Sequence, residues 1–128
     1  MSNQKLIVFT ASWIDVVDLE IQARRIISSA STDPLTFVVV HCGEEKLTTT
    51  EQYTLNNNIC IADKDNVVAM VIKYEIDSLP CVIVVDDNDV RVEGPEPIPA
   101  SLQQEGGDRF ALAIESYNSF DLQNAAKW

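Results

Sequence analysis

The stretch that decides the fold is "KLIVFTASWIDVVDLEIQARRI", residues 5–26, because its hydrophobic period changes halfway along. "KLIVFTASW" (5–13) is β-rich and mostly apolar, the pattern of a central strand buried on both faces. From Asp15 onward Val16, Leu19, Ala23, Ile26 and Ala30 recur at steps of three and four, with Asp18, Glu20, Gln22 and Arg24 between them. That spacing predicts an amphipathic helix, opened by an acid and stopped before "STDP" (31–34). "LTFVVVHC" (35–42) has the composition of a second buried strand. Two such strands joined by a helix are expected to run parallel in a right-handed βαβ unit.

Beyond this unit the pattern loosens and then tightens again. "LTTTEQYTLNNN" (47–58) pairs Thr48 with Glu51 and Thr49 with Gln52, overlapping capping boxes that predict a short helix. "ICIA" (59–62) is a short extended piece. "DKDNVVAMVIKYEI" (63–76) offers Asp63 and Asp65 as caps, then Val67, Val68, Met70, Val71, Ile72 and Tyr74, and predicts a helix. "PCVIVV" (80–85), "DDND" (86–89) and "VRVE" (90–93) form a strand, a turn and a second strand. "GPEPIPASLQQEGGD" (94–108) is a Pro- and Gly-rich connector. A closing helix starts near Asp108, burying Phe110, Leu112, Ala113, Ile114, Tyr117 and Phe120. The expected order is β-α-β-(α)-α-β-β-α, an α/β fold with a central mixed sheet flanked by helices, in one domain over residues 1–128.

Composition narrows the function classes. Twenty acidic side chains against nine basic ones give a net charge of −11. Nucleic-acid affinity depends on Lys and Arg neutralising phosphates, so a direct nucleic-acid role is disfavoured, and an anionic membrane surface with it. "MSNQKLIVF" lacks the pattern of a signal peptide, and no apolar run reaches the ~18 residues of a membrane span. The three cysteines (Cys42, Cys60, Cys81) are odd in number and widely spaced, unlike a disulfide framework. A reduced, cytoplasmic protein is the expectation.

Two motifs add a resemblance. "FTASW" (9–13) is close to the F-S-A-S-W that leads into W-C-P-P-C in tryparedoxins. "KYEIDSLPCVIVVDDND" (73–89) follows the thioredoxin pattern K-Y-x-I-x-x-[IL]-P-T and its hairpin. With the insertion between Gly43 and Ala62, the chain resembles the tryparedoxin and nucleoredoxin branch of the thioredoxin-like fold over about residues 5 to 94. The resemblance implies that Pro80 is a cis-proline beside the site, and that Trp13, Leu79, Pro80 and Cys81 form one surface patch that meets a partner's extended backbone.

The chemistry of that family is missing. Disulfide exchange needs an attacking thiolate and a resolving thiol, and the matching positions hold Ile14 and Val17. The pair between them is Asp15-Val16, and the basic residue that often follows is Asp18. Asp15 is either an ordinary helix-start acid, favourable by ~0.3–1 kcal/mol, or an anion that meets a basic ligand. Cys42 and Cys60 read as small packing residues. Cys81, where the pattern has threonine, is the one thiol expected at the rim. His41-Cys42 lacks the CxxC or HxxxH spacing that would complete a metal site. One histidine without G-x-S-x-G gives no hydrolase triad, and no Gly-rich phosphate loop is present. In "YNSFDLQNAAKW" (117–128), Phe120, Leu122 and Trp128 either pack on the sheet or dock on a partner.

The expectation is therefore a redox-inactive protein, not an enzyme, serving as an interaction or structural subunit of a larger assembly. Its contact surfaces are Trp13, Ile14, Asp15, Leu79, Pro80 and Cys81, with the acidic hairpin at Asp86 to Asp89. No cofactor, metal, small-molecule substrate, nucleic acid or membrane is implied. The alternative is a monothiol redox protein using Cys81.

Overall fold

A computed structural model of the protein describes residues 4–11, 16–27, 35–43, 59–99 and 107–126. The apolar runs become strands: β1 (Lys5–Thr10), β2 (Thr36–His41), β3 (Ile59–Ile61), β4 (Cys81–Val85) and β5 (Arg91–Pro97). The periodic stretches become helices: α1 (Val16–Ile26), α2 (Lys64–Lys73) and α3 (Asp108–Ala126). The strands form one mixed sheet in the order β3-β2-β1-β4-β5. β1 and β2 pair in parallel, with Phe9 opposite Val40 and Thr10 opposite His41. β4 runs antiparallel to β1, with Phe9 opposite Cys81. β3, the short extended piece, lies parallel to β2.

Alternation along the strands builds two cores. Ile7, Phe9, Val38, Val40, Ile83 and Val85 face Val67 and Val71 of α2 and Ala113 of α3. Leu6, Val8, Phe37, Val39, Val82 and Val84 face Leu19 and Ala23 of α1, with Ile27 just beyond it. Among the described helices, two cover one face and α1 covers the other.

Several element boundaries differ from the sequence expectation. β1 stops at Thr10, with Ala11 in a bend, rather than running to residue 13. Ile27, not Ile26, is the fully buried residue at the end of α1, because it continues the Leu19–Ala23 row at four-residue steps. Leu112, expected inside, is 39% exposed, since Ala113 is the α3 residue turned into the core. The segment expected as a loop from Gly94 instead continues β5 to Pro97. Gly94 makes this continuation possible: its φ is +90°, and a side chain there would meet the Val82 carbonyl. The helix expected near Thr48 to Gln52 lies outside the described residues, as do Ala30 and Trp128.

Helix α2 has well-defined ends. The Asp63 carboxylate accepts a hydrogen bond from the Asn66 N–H at 3.1 Å, while Asp65 sits in the first turn. At the other end Ile76 N–H donates to the Val71 carbonyl and Glu75 N–H to that of Ile72, with Glu75 at φ 55°. That is a Schellman closure, and Ile76 and Val71 are both buried beside it.

The hairpin turn is held from within and from α2. Asp86 Oδ1 accepts from the N–H groups of Asn88 and Val90 at 2.8 and 3.0 Å. The Tyr74 hydroxyl donates to the Asp89 carbonyl at 2.8 Å, and Arg91 Nη1 donates to the Tyr74 carbonyl at 2.8 Å.

Phe9 is fully buried on the central strand, so Phe9→Ala is expected to lower stability by about 3–5 kcal/mol. A urea melt followed by circular dichroism checks this; a loss under about 1 kcal/mol would mean the cavity had closed by repacking.

Candidate functional site

The candidate site is the sheet end where β1 and β2 finish and β4 begins. The parallel pairing of Thr10 with His41 and the antiparallel pairing of Phe9 with Cys81 bring residues 10–11, 41–43 and 79–81 to that end. Cys42 N–H donates to the Thr10 carbonyl at 2.8 Å, extending the ladder by one bond. Ile98 N–H donates to the Pro80 carbonyl at 3.0 Å and closes the other side. The Leu79–Pro80 bond is cis, as the resemblance implies. Trp13, Ile14 and Asp15 lie outside the described residues.

The structure corrects the expected surface patch. Leu79, Pro80 and Cys81 are all buried. As the first residue of β4, Cys81 belongs to the core that α2 and α3 cover, together with Leu79 and Cys42. The thiol expected at the rim therefore faces the interior. Val17, at the second of the two dithiol positions, is 62% exposed in the first turn of α1.

Burial decides the state of both thiols. The Cys81 thiol is pushed up to about 12 by burial, with further upward contributions from Cys42 and Asp77. The Cys42 thiol is likewise pushed up to about 12 by burial, against smaller opposing effects of Arg109 and the Thr10 backbone. Cys42 donates weakly through Sγ to the Val40 carbonyl at 3.8 Å. At neutral pH both side chains are protonated, and a protonated thiol is a poor nucleophile. Thr10 and His41, both buried, sit side by side on the α1 face of the sheet.

Arg109 was not singled out from the sequence, where "GGDRF" offers no pattern to mark it. From the first turn of α3 its Nη1 donates to the Ala62 carbonyl and, at 3.4 Å, to that of His41. It thereby ties α3 to the end of β2 and to the segment entering α2. Gly107 packs so closely on the Cys42 carbonyl that a side chain would overlap it. Beside this junction lies a cleft of about 690 Å³ lined by Lys64, Asp108, Arg109, Ala111, Leu112 and Glu115. Among its described lining residues the charges are mixed, Lys64 and Arg109 against Asp108 and Glu115.

Among the described residues no group of three or more His, Cys, Asp or Glu is placed to hold a metal ion. No described helix is long and apolar enough to cross a membrane. Compared with known proteins, the chain matches no protein-family model, no curated protein and no solved structure.

Two outcomes are expected. At pH 8, iodoacetamide followed by peptide mapping should find Cys42 and Cys81 protected in the native protein and labelled in urea. The same thiols make stability fall with rising pH: the unfolded chain releases their protons near 9, whereas the folded chain holds them to about 12. The slope is up to about 1.4 kcal/mol per pH unit for each thiol, and a Cys42→Ala/Cys81→Ala variant should lose it in urea melts at pH 9 to 11.

Removing the two guanidinium bonds gives a separate check. Arg109→Met should cost about 1.5–3 kcal/mol, with faster hydrogen exchange at the start of α3. Unchanged stability and exchange would show that the contact is not needed for docking α3.

Proposed function

We propose that the chain is a thioredoxin-like protein without the dithiol, acting as a protein-binding or structural subunit of a larger assembly. Its motifs supply the resemblance, and the described elements follow the order β-α-β-β-α-β-β-α. That order agrees with the expected one except that the bracketed helix at 47–58 lies outside the described residues and a short strand precedes α2.

The observation that carries the functional reading is chemical. At the sheet end where Phe9 and Thr10 meet the Leu79–Cys81 turn, Cys42 and Cys81 are both buried and protonated. The exposed helix-start position that would hold a resolving thiol is Val17. A site with this outline and no reachable thiolate can bind, but it cannot exchange disulfides. The same burial weakens the alternative of a one-cysteine enzyme at Cys81. A nucleophile there would need both exposure and a depressed pKa, and Cys81 has neither.

The binding surface in this reading is formed by Trp13, Ile14 and Asp15, while the side chains of Leu79, Pro80 and Cys81 stay buried and only the backbone of their turn takes part. The turn supplies backbone and shape rather than a thiol. The hairpin at Asp86 to Asp89 is a second acidic contact surface, held rigid through Tyr74 and Arg91. Basic protein partners suit a chain of net charge −11.

The test is capture of a defined partner from native extract of the source cells by immobilised protein. A reproducible partner should be retained by wild type and lost by Trp13→Ala and Ile14→Asp. In parallel, the protein should not accelerate reduction of insulin disulfides by dithiothreitol. Migration as a lone chain under gentle conditions, or disulfide reductase activity, would overturn the proposal.

A further inference from the structure

The outer side of α1 carries a feature that the fold does not use. Leu19 and Ala23 turn toward the sheet, and at 3.6 residues per turn Val17 and Ile21 fall on the opposite side. They are 62% and 46% exposed, four residues apart, and so form one apolar stripe. A helix that is apolar on two opposite sides is suited to burial on both.

The charges beside this stripe are ordered along the helix. Asp18 lies in the first turn of α1, and Arg24 and Arg25 in the last. Asp18 and Arg25, two turns apart, border one side of the stripe, and Glu20 and Arg24 border the other. The Glu20–Arg24 pair is closed within the helix at 3.6 Å; Asp18 accepts from Gln22 Nε2 at 2.5 Å, a neutral partner that leaves its charge uncompensated, and both Asp18 and Arg25 are exposed. With two acids and two bases, α1 is locally neutral in a chain of net charge −11. Like-charge repulsion between two copies is weakest where they meet on such a face.

We propose that the outer face of α1 is a self-association surface, on which the α1 of a second copy packs antiparallel about a two-fold axis. Ile21 then meets its own counterpart, and Val17 lies against the aliphatic stem of Arg25 of the second copy. Antiparallel packing brings like-numbered sides of the two helices together. Asp18 of each copy therefore faces Arg25 of the other, giving two equivalent ion pairs from one surface. The helix dipoles oppose one another in the favourable sense.

An 11-residue helix is only about 16 Å long, so one face of it offers less contact area than the ~800 Å² per partner typical of a stable interface. The association is accordingly weak and reversible. It uses a face separate from the Leu79–Cys81 turn, and pure protein suffices to measure it, so its failure leaves the binding role of that turn standing.

Sedimentation equilibrium of the pure full-length chain, from about 10 µM to 1 mM, should show a monomer–dimer equilibrium. Ile21→Asp should weaken it at least ~10-fold while leaving the circular dichroism melt in place, because Ile21 is outside the core. Asp18→Arg and Arg25→Glu should each weaken it alone, through like charges across the axis. Mixing those two variants in equal amounts should restore dimer as a mixed pair, as should the double variant D18R/R25E. A chain that stays monomeric to 1 mM overturns the proposal. So does a dimer indifferent to Ile21→Asp and to the charge exchange.

Discussion

Everything in this structure depends on β1 having no free side. Its residues Leu6 to Thr10 are buried, and its backbone is paired with β2 on one edge and β4 on the other. A strand so placed needs apolar cover above and below, and that requirement sets the layers: α1 on one face, α2 and α3 on the other. The two neighbours also differ in direction. The parallel neighbour ends where β1 ends, and the antiparallel neighbour begins there. Segments distant in sequence, residues 10–11, 41–43 and 79–81, are therefore brought to one end of the sheet.

That sheet end is well tied but chemically quiet. Arg109 joins three elements through carbonyl oxygens, and the Schellman closure of α2 delivers the chain into the turn before β4. The same packing that makes the junction firm removes water from Cys42 and Cys81 and keeps them protonated. Firmness and thiol reactivity conflict here, because a thiolate needs a polar or positive setting. Among the described residues, the cation beside Cys42, Arg109, is already engaged with carbonyls and is outweighed by burial.

The strands and helices were legible because their burial is periodic: Leu6 to Phe9, Phe37 to Val40 and Val82 to Val85 could be placed from residue type alone. The hairpin was legible from "DDND", whose first aspartate serves as the acceptor that shapes the turn. The strand order and the joining of α2 with α3 on one face were not legible, since a hydrophobic stripe says that a helix is covered and not which sheet face covers it. Cys81 was misplaced for a related reason. Its neighbours Pro80 and Leu79 suggested a rim, but the side a strand's first residue faces depends on register, and register depends on pairing partners. Arg109 escaped notice because its partners are backbone carbonyls, which leave no trace in residue identity.

The form of β5 limits how this sheet can grow. A bare strand edge is a template on which another chain can lay a strand of its own, main chain to main chain. β5 holds Pro95 and Pro97 within seven residues, so two of its positions have no N–H to offer, and Gly94 just before them has a positive φ. At the opposite side of the described sheet, β3 spans Ile59–Ile61. The β5 border is a poor docking strip for an extended peptide. Along β5, recognition by an extended strand is therefore disfavoured relative to recognition through side chains, where selectivity is written residue by residue.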